Sequence, residues 1–412
     1  MTQRGRLAIT LFAACALGAL VVGVVVGAGR DESPGPAPPT VAERTGRSLE
    51  RTSFLARIVP LAERRERRAS GPNVPRNVAD LARRLPLERQ VAQLFLLGFQ
   101  GTDLNAAIFR RLRRLDLGGL VVESANYRAP ALLGQMGGEA IVISRQEKHI
   151  PPWVLTLQDG GEFNSLGGLP PARAPADTAS AADAERMATQ TATTLRGLNV
   201  TGVLGPVADV GFESGSALGA RIYSDDPDEV SGYVDAIITA YRAKRLFGAV
   251  RHFPGLGTAD QSTELGPASV GLDLEELRQR DLLPFRAAVE AGVPGVVLSH
   301  ALYPMSDFTV PASLSPAIAT DLLRKELHFA GVAITDDLAD PAITATYSVP
   351  DAAVRALAAG ADLVWISGPA ADQEAAYAAV LRAARSGRLP RRRITEALLR
   401  ALKVKEGYGL IR

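Results

Sequence analysis

Gly248-Ala249-Val250-Arg251-His252-Phe253-Pro254-Gly255-Leu256-Gly257 passes from an apolar strand into a polar, glycine-rich loop within one short run. A strand that ends by presenting Arg251 and His252 beside Gly255 and Gly257 reads as the rim of a binding cleft. Further along, Gly331-Val332-Ala333-Ile334-Thr335-Asp336-Asp337 repeats the device, an apolar strand delivering a carboxylate at its C-terminal tip.

Outward from these two runs the chain is regular. Short apolar segments at 93–99, 119–123, 153–157, 200–204, 248–251, 295–299, 331–335 and 363–366 read as eight strands. Amphipathic stretches between them, including 183–198, 227–246, 273–291, 315–328 and 351–359, read as helices. Asp226-Pro227 suits a helix start, because Asp accepts from free N–H groups and Pro has none to satisfy. Strands that are nearly continuous in apolar residues, each followed by a helix, imply a parallel sheet covered on its outer face. Eight such units fit a closed (β/α)8 barrel of the TIM type better than an open doubly wound sheet, and no Gly-rich dinucleotide fingerprint follows the first strand.

In such a barrel the chemistry sits at the C-terminal ends of the strands. Gln158, Asp159, His252, His300, Asp336 and Ser367 all fall there. Strand tips meet water and are polar for that reason alone, which accounts for one such residue more easily than for the set.

At these residues the sequence resembles the glycoside hydrolase family 3 β-N-acetylhexosaminidases of the cell-wall-recycling type. The resemblance runs from Leu85-Pro86-Leu87-Glu88-Arg89-Gln90 to Glu406-Gly407-Tyr408-Gly409-Leu410 and so covers the expected barrel. Its most specific marks are Arg251-His252-Phe253-Pro254-Gly255-Leu256-Gly257 and Thr335-Asp336-Asp337-Leu338. Gly219-Ala220-Arg221-Ile222-Tyr223-Ser224-Asp225-Asp226-Pro227 and Pro311-Ala312-Ser313-Leu314-Ser315 add to them. The resemblance implies retaining cleavage of β-linked N-acetylglucosamine in cell-wall glycan. Asp336 would be the nucleophile, about 5 to 5.5 Å from a general acid, with Asp337 the better candidate for a helix cap. Arg221, Arg251 and His252 would contact sugar hydroxyls, Arg251 as a planar fork where the family usually has the point charge of Lys.

Two departures bear on the chemistry. Where the family carries its acid/base histidine in Asp-Ser-His, this chain reads Ser262-Thr263-Glu264. Where it carries Asp-Gln-Glu-Gly-Gly-Arg, with a substrate-gripping first Asp, this chain reads Leu157-Gln158-Asp159-Gly160-Gly161-Glu162. Either Glu264 or Asp260 serves as the acid, given surroundings that favour its protonated form, or the proton donor is lost and the barrel binds glycan without turning it over.

Composition bounds the rest. The 412 residues, 47% hydrophobic, suffice for a full core, and a net charge of +2 argues for neither nucleic acid nor an acidic partner. The lone Cys15 excludes an intramolecular disulfide, and four histidines without ligand spacing leave no metal signature; no cofactor motif is found. Residues 7–29 carry no charge and are long enough to span a hydrocarbon core of about 30 Å. Arg4 and Arg6 before them favour a cytoplasmic N-terminus, which leaves a membrane-tethered barrel on the extracytoplasmic side. The alternatives are a cleaved signal peptide ending near Val26-Gly27-Ala28 and a lipoprotein processed at Cys15, against which the apolar run continues well past that cysteine. Residues 30–78 read as a linker rich in Pro and Arg, with Arg57, Arg64, Arg65, Arg67 and Arg68 in its later part, and 79–412 as the barrel. Trp153 and Trp365 read as packing residues, and His149 and His328 are given no role.

Overall fold

The computed structural model describes residues 72–212, 215–306 and 308–411. The uncharged run 7–29 and nearly all of the expected linker lie outside the described residues, and the first described helix, Arg76–Arg84, begins just inside the linker's expected end. No helix among the described residues is long and apolar enough to cross a membrane.

Eight parallel strands close into a barrel in sequence order: β1 Phe95–Leu97, β2 Gly119–Val122, β3 Trp153–Thr156, β4 Gly202–Val203, β5 Phe247–Phe253, β6 Gly295–Leu298, β7 Val332–Asp337 and β8 Leu363–Ile366. Closure comes from β1 lying against β8, with Phe95 opposite Val364 and Leu96 opposite Trp365. All eight expected strands are present, and every strand residue is buried. That is why they read as apolar runs rather than as alternating patterns.

Side chains divide by face. Leu96, Val121, Leu155, Phe247, Val297, Ile334 and Trp365 belong to the cluster that fills the barrel, and the larger outer cluster joins the sheet to its helices. Near the N-terminal end the interior is aromatic. The Trp153 and Phe247 rings lie 4.8 Å apart, and Tyr408 meets each edge-on at 6.0 Å. Glycine makes the room: a Cβ on Gly202 would fall 2.7 Å from Phe247 Cβ, and one on Gly295 would fall 2.6 Å from its ring. Trp153 and Trp365 thus pack as expected.

Asp226 does cap the helix Pro227–Ala243, accepting from the N–H of Asp228 at 2.8 Å. The expected single helix over 273–291 is two, Leu274–Gln279 and Leu282–Glu290. The break puts Pro284 in the first turn of the second piece, where its missing N–H costs nothing. The stretch expected as a helix over 315–328 is wound wider, as a π-helix over Ala317–Glu326.

Below β8, Asp362 is fully buried and gathers three guanidiniums. Arg324 donates to Oδ2, while Arg393 and Arg400 approach Oδ1 at 2.7 and 3.0 Å. Burial alone would raise the Asp362 pKa, but the nearby Arg324, Arg400 and Arg393 more than offset it, so the carboxyl lies below the usual range. The cluster is not uniformly favourable, since burial pushes Arg324 down to about 10. A depressed folded-state pKa adds stability above the ordinary carboxylate range, and that stability is lost as pH falls through the folded value. Asp362→Asn should therefore destabilise the barrel by about 3 kcal/mol near neutrality, by stranding partly buried cations. The penalty should shrink as urea denaturation is repeated at falling pH, and equal stability of the two proteins at pH 7 would exclude this role.

Candidate active site

The mouth of the barrel is assembled around a buried carboxylate that sequence reasoning passed over. Asp209, beyond β4, has no exposed surface. Its Oδ2 lies 2.7 Å from His252 Nδ1, and its Oδ1 accepts the backbone N–H of Leu256 at 2.7 Å and that of His252 at 3.3 Å. An ionised carboxylate only accepts, so Nδ1 carries the proton. The other ring nitrogen, Nε2, faces the tip of β7 and lies 3.8 Å from Asp336 Oδ2. The run Val207-Ala208-Asp209-Val210 contains a lone acidic residue in apolar surroundings, which is the signal available for it in the sequence.

Arg251, one residue earlier on β5, points to the third strand and forms a buried ion pair with Asp159. Both leave an atom unpartnered, Nε of Arg251 and Oδ1 of Asp159. Unsatisfied polar atoms in a buried pair are costly unless a ligand or water meets them. Leu157, at the corner where the resembled family has its gripping Asp, is half-buried against the barrel interior, and Glu162 is exposed. The polar group this corner offers is instead the Arg251–Asp159 pair.

Asp336 is buried at the tip of β7, its Oδ1 accepting the N–H of Asp337 at 3.1 Å. Asp337 is not the helix cap it was expected to be. Its Oδ1 accepts from Ala339 N and Ser367 N, both at 2.9 Å, and so joins the tips of β7 and β8. His300 joins β6 to the same place: Nε2 lies 2.9 Å from the Asp337 carbonyl, and Nδ1 lies 2.8 Å from the Ser313 hydroxyl. A carbonyl accepts only, so Nε2 carries hydrogen. Burial holds the His300 pKa below its usual value, which suits a neutral strut.

Glu264 lies on the loop after β5. Its Oε1 accepts from Arg221 Nη1 at 2.8 Å, and the carboxyl is 58% exposed. Arg221 also lies 6.0 Å from the centre of the Phe163 ring. Asp260 is engaged locally, its Oδ1 accepting Ser269 N at 2.8 Å, and so shapes the loop.

Two further carboxyls complete the rim, and neither was singled out from the sequence. Glu123, after β2, is pushed up to about 7 by burial and then by the charge of Asp337. Asp340 occupies the N-cap position of the helix Pro341–Thr344, yet its side chain makes no cap hydrogen bond. Burial first, then the charges of Asp336, Asp337, Glu264 and Glu123, push it up to about 10. The backbone fastens this turn to the loop of Glu264, the N–H of Ala342 donating to the Thr263 carbonyl at 3.2 Å. Carboxylates crowded this closely cannot all ionise, so the rim retains a proton at neutral pH. The structure therefore gathers Arg221, Arg251, His252, Glu264 and Asp336 at one end of the barrel, and adds Asp209, Asp159, Glu123 and Asp340 to them.

With this geometry in hand, residues 86–404 match the family profile described as glycosyl hydrolase family 3 N terminal domain. A β-hexosaminidase of Stenotrophomonas maltophilia is 30% identical over 295 residues, covering 69% of this chain and 86% of the relative. Among solved structures, a glycoside hydrolase family 3 β-N-acetylglucosaminidase from Paenibacillus superposes with a TM-score of 0.76 at 29% identity. That alignment covers 79% of this chain and 63% of the Paenibacillus chain. A family 3 member from Mycobacterium smegmatis gives 0.69 at 28% identity, over 78% of this chain and 98% of its own.

Proposed function

This chain belongs to glycosyl hydrolase family 3 and is a glycoside hydrolase, and on that premise we propose that it cleaves β-linked N-acetylglucosaminides of cell-wall glycan with retention. The observation that carries the reading is the carboxylate of Asp336 at the tip of β7, facing His252 Nε2 at 3.8 Å, in a chain whose relatives include β-hexosaminidases.

In this reading Asp336 attacks the anomeric carbon and forms a glycosyl-enzyme intermediate, while a carboxyl on the opposite wall protonates the departing oxygen. Glu264 is that acid, and it becomes the base for the water that releases the sugar. A carboxylate paired with a guanidinium is a poor proton donor, so the Arg221 contact must open as substrate enters; the exposure of Glu264 leaves room for that. Arg251, Arg221 and His252 bind sugar hydroxyls, with Asp209 holding the ring of His252 in place. Glycan binding without turnover, the alternative raised by the missing histidine, is less well supported, because the family and the relatives are named as hydrolases.

We further propose that residues 7–29 tether the barrel to the membrane with the site outside the cytoplasm, on the strength of the uncharged run and the preceding Arg4 and Arg6. The full-length chain should then sediment with membranes, and protease added to spheroplasts should cut its barrel. A chain that stays in the supernatant and resists that protease would contradict the tether.

Asp336→Asn should lower hydrolysis of an aryl β-N-acetylglucosaminide by about 10³-fold or more with unchanged thermal stability. Retention of ordinary turnover would remove Asp336 from the nucleophile's place. Glu264→Gln should slow substrates with basic leaving groups by about 10² to 10⁴ and activated aryl glycosides far less, with azide restoring part of the loss. Equal rates for Glu264→Gln and wild type across a leaving-group series would show Glu264 to be a bystander.

A further inference from the structure

A cavity of about 840 Å³ opens at the N-terminal end of the barrel, the end opposite Asp336. Sites for small molecules span about 300 to 1,000 Å³. Residues leading into β6 and β7 form part of its wall, and the C-terminal helix Arg391–Gly407 forms another. Val293, Phe329 and Val404 make it apolar on one side. Arg242, Arg245 and Lys403 supply its charge, His328 adds an imidazole, and no Asp or Glu is among the residues that line it.

Arg242 is occupied, since Nη1 donates to the Ala291 carbonyl. The side chains of Arg245, His328 and Lys403 make no hydrogen bond or ion pair with another described residue. Arg245 adds to the local excess by repelling Arg196. The ordinary explanation is that these cations answer the helices Pro227–Ala243, Leu282–Glu290, Ala317–Glu326 and Arg391–Gly407, whose C-terminal ends converge here. Each helix end carries roughly half a negative charge, so four of them balance only about two thirds of what Arg242, Arg245 and Lys403 bring. Backbone conformation points the same way. Arg245 and His328 both sit at φ 53, a left-handed conformation that the neighbouring Gly292 adopts freely at φ 75. A long cation there carries a backbone cost that glycine avoids.

We propose that this cavity binds a phosphate ester, its oxyanion held by Arg245, Lys403 and His328 and its apolar or sugar substituent laid along Val293, Phe329 and Val404. Several unpaired donors around one space suit a phosphate ester of net negative charge, whose tetrahedral oxygens can be met from different sides. The ester belongs either to a lipid headgroup or to a soluble sugar or glycerol phosphate.

The cavity has a built-in reporter, because Tyr408 lines it and meets the Trp153 ring at 6.0 Å. Tryptophan fluorescence of the full-length chain in non-ionic detergent would be followed against glycerol 3-phosphate, dihexanoyl phosphatidylglycerol and dihexanoyl phosphatidylcholine. A saturable change is expected with at least one of the first two, weakened by raised salt. The double variant Arg245→Ala/Lys403→Ala should bind at least about tenfold more weakly, with thermal stability and aryl-glycoside hydrolysis unchanged. A response to glycerol phosphate assigns the soluble source, and a response to phosphatidylglycerol alone assigns the headgroup. No saturable change with either phosphate, an equal response to phosphatidylcholine, or wild-type binding by the folded double variant would overturn the proposal.

Discussion

Closure of the sheet, β1 against β8, is the constraint on which the rest of the molecule depends. An open parallel sheet ends in two rows of unpaired backbone groups; a closed one has none. Closure also sets the tilt that turns every strand's C-terminal tip toward one axis. Asp159, Asp209, His252, Glu264, His300 and Asp336 are scattered over much of the chain, and only a ring of strand tips brings them together.

Within that ring two kinds of polar residue do different work. Struts hold one tip to the next: Asp337 between β7 and β8, His300 between β6 and β7, Asp209 between the segment after β4 and the end of β5. Both ring nitrogens of His300 and both carboxyl oxygens of Asp209 are taken up, and Asp337 Oδ1 accepts twice. The residues left for chemistry have spare capacity. Asp336 keeps Oδ2 toward His252, Arg251 keeps Nε, and Asp159 keeps Oδ1.

The loop after β5 carries Glu264 where the resembled family has its histidine. Imidazole exchanges protons near neutrality without help, whereas an unperturbed carboxyl is already ionised there. Glu123 and Asp340, half-buried beside other carboxylates, are pushed upward into or above the neutral range. Acids crowded in this way follow the same electrostatic logic as a carboxylate dyad.

The sequence by itself determined the barrel, because burial on both faces forces strands into apolar runs and the intervening helices into amphipathic ones, so that period and spacing survive in the residue order. It likewise determined Asp336, Arg251 and His252 as mouth residues, since a polar group directly after a buried strand has few other places to be. Only the tertiary structure decided which polar residues are struts. Asp337 resembled a helix cap until its partners proved to be Ala339 and Ser367, and Asp209 was silent because its donors come from a strand forty residues away. The same holds for Asp340, which stands where a capping Asp belongs and is pushed upward by burial and by the charges of carboxylates on other elements. Local pattern records what each segment must bury; pairings between loops are made by closure, and no local pattern encodes them.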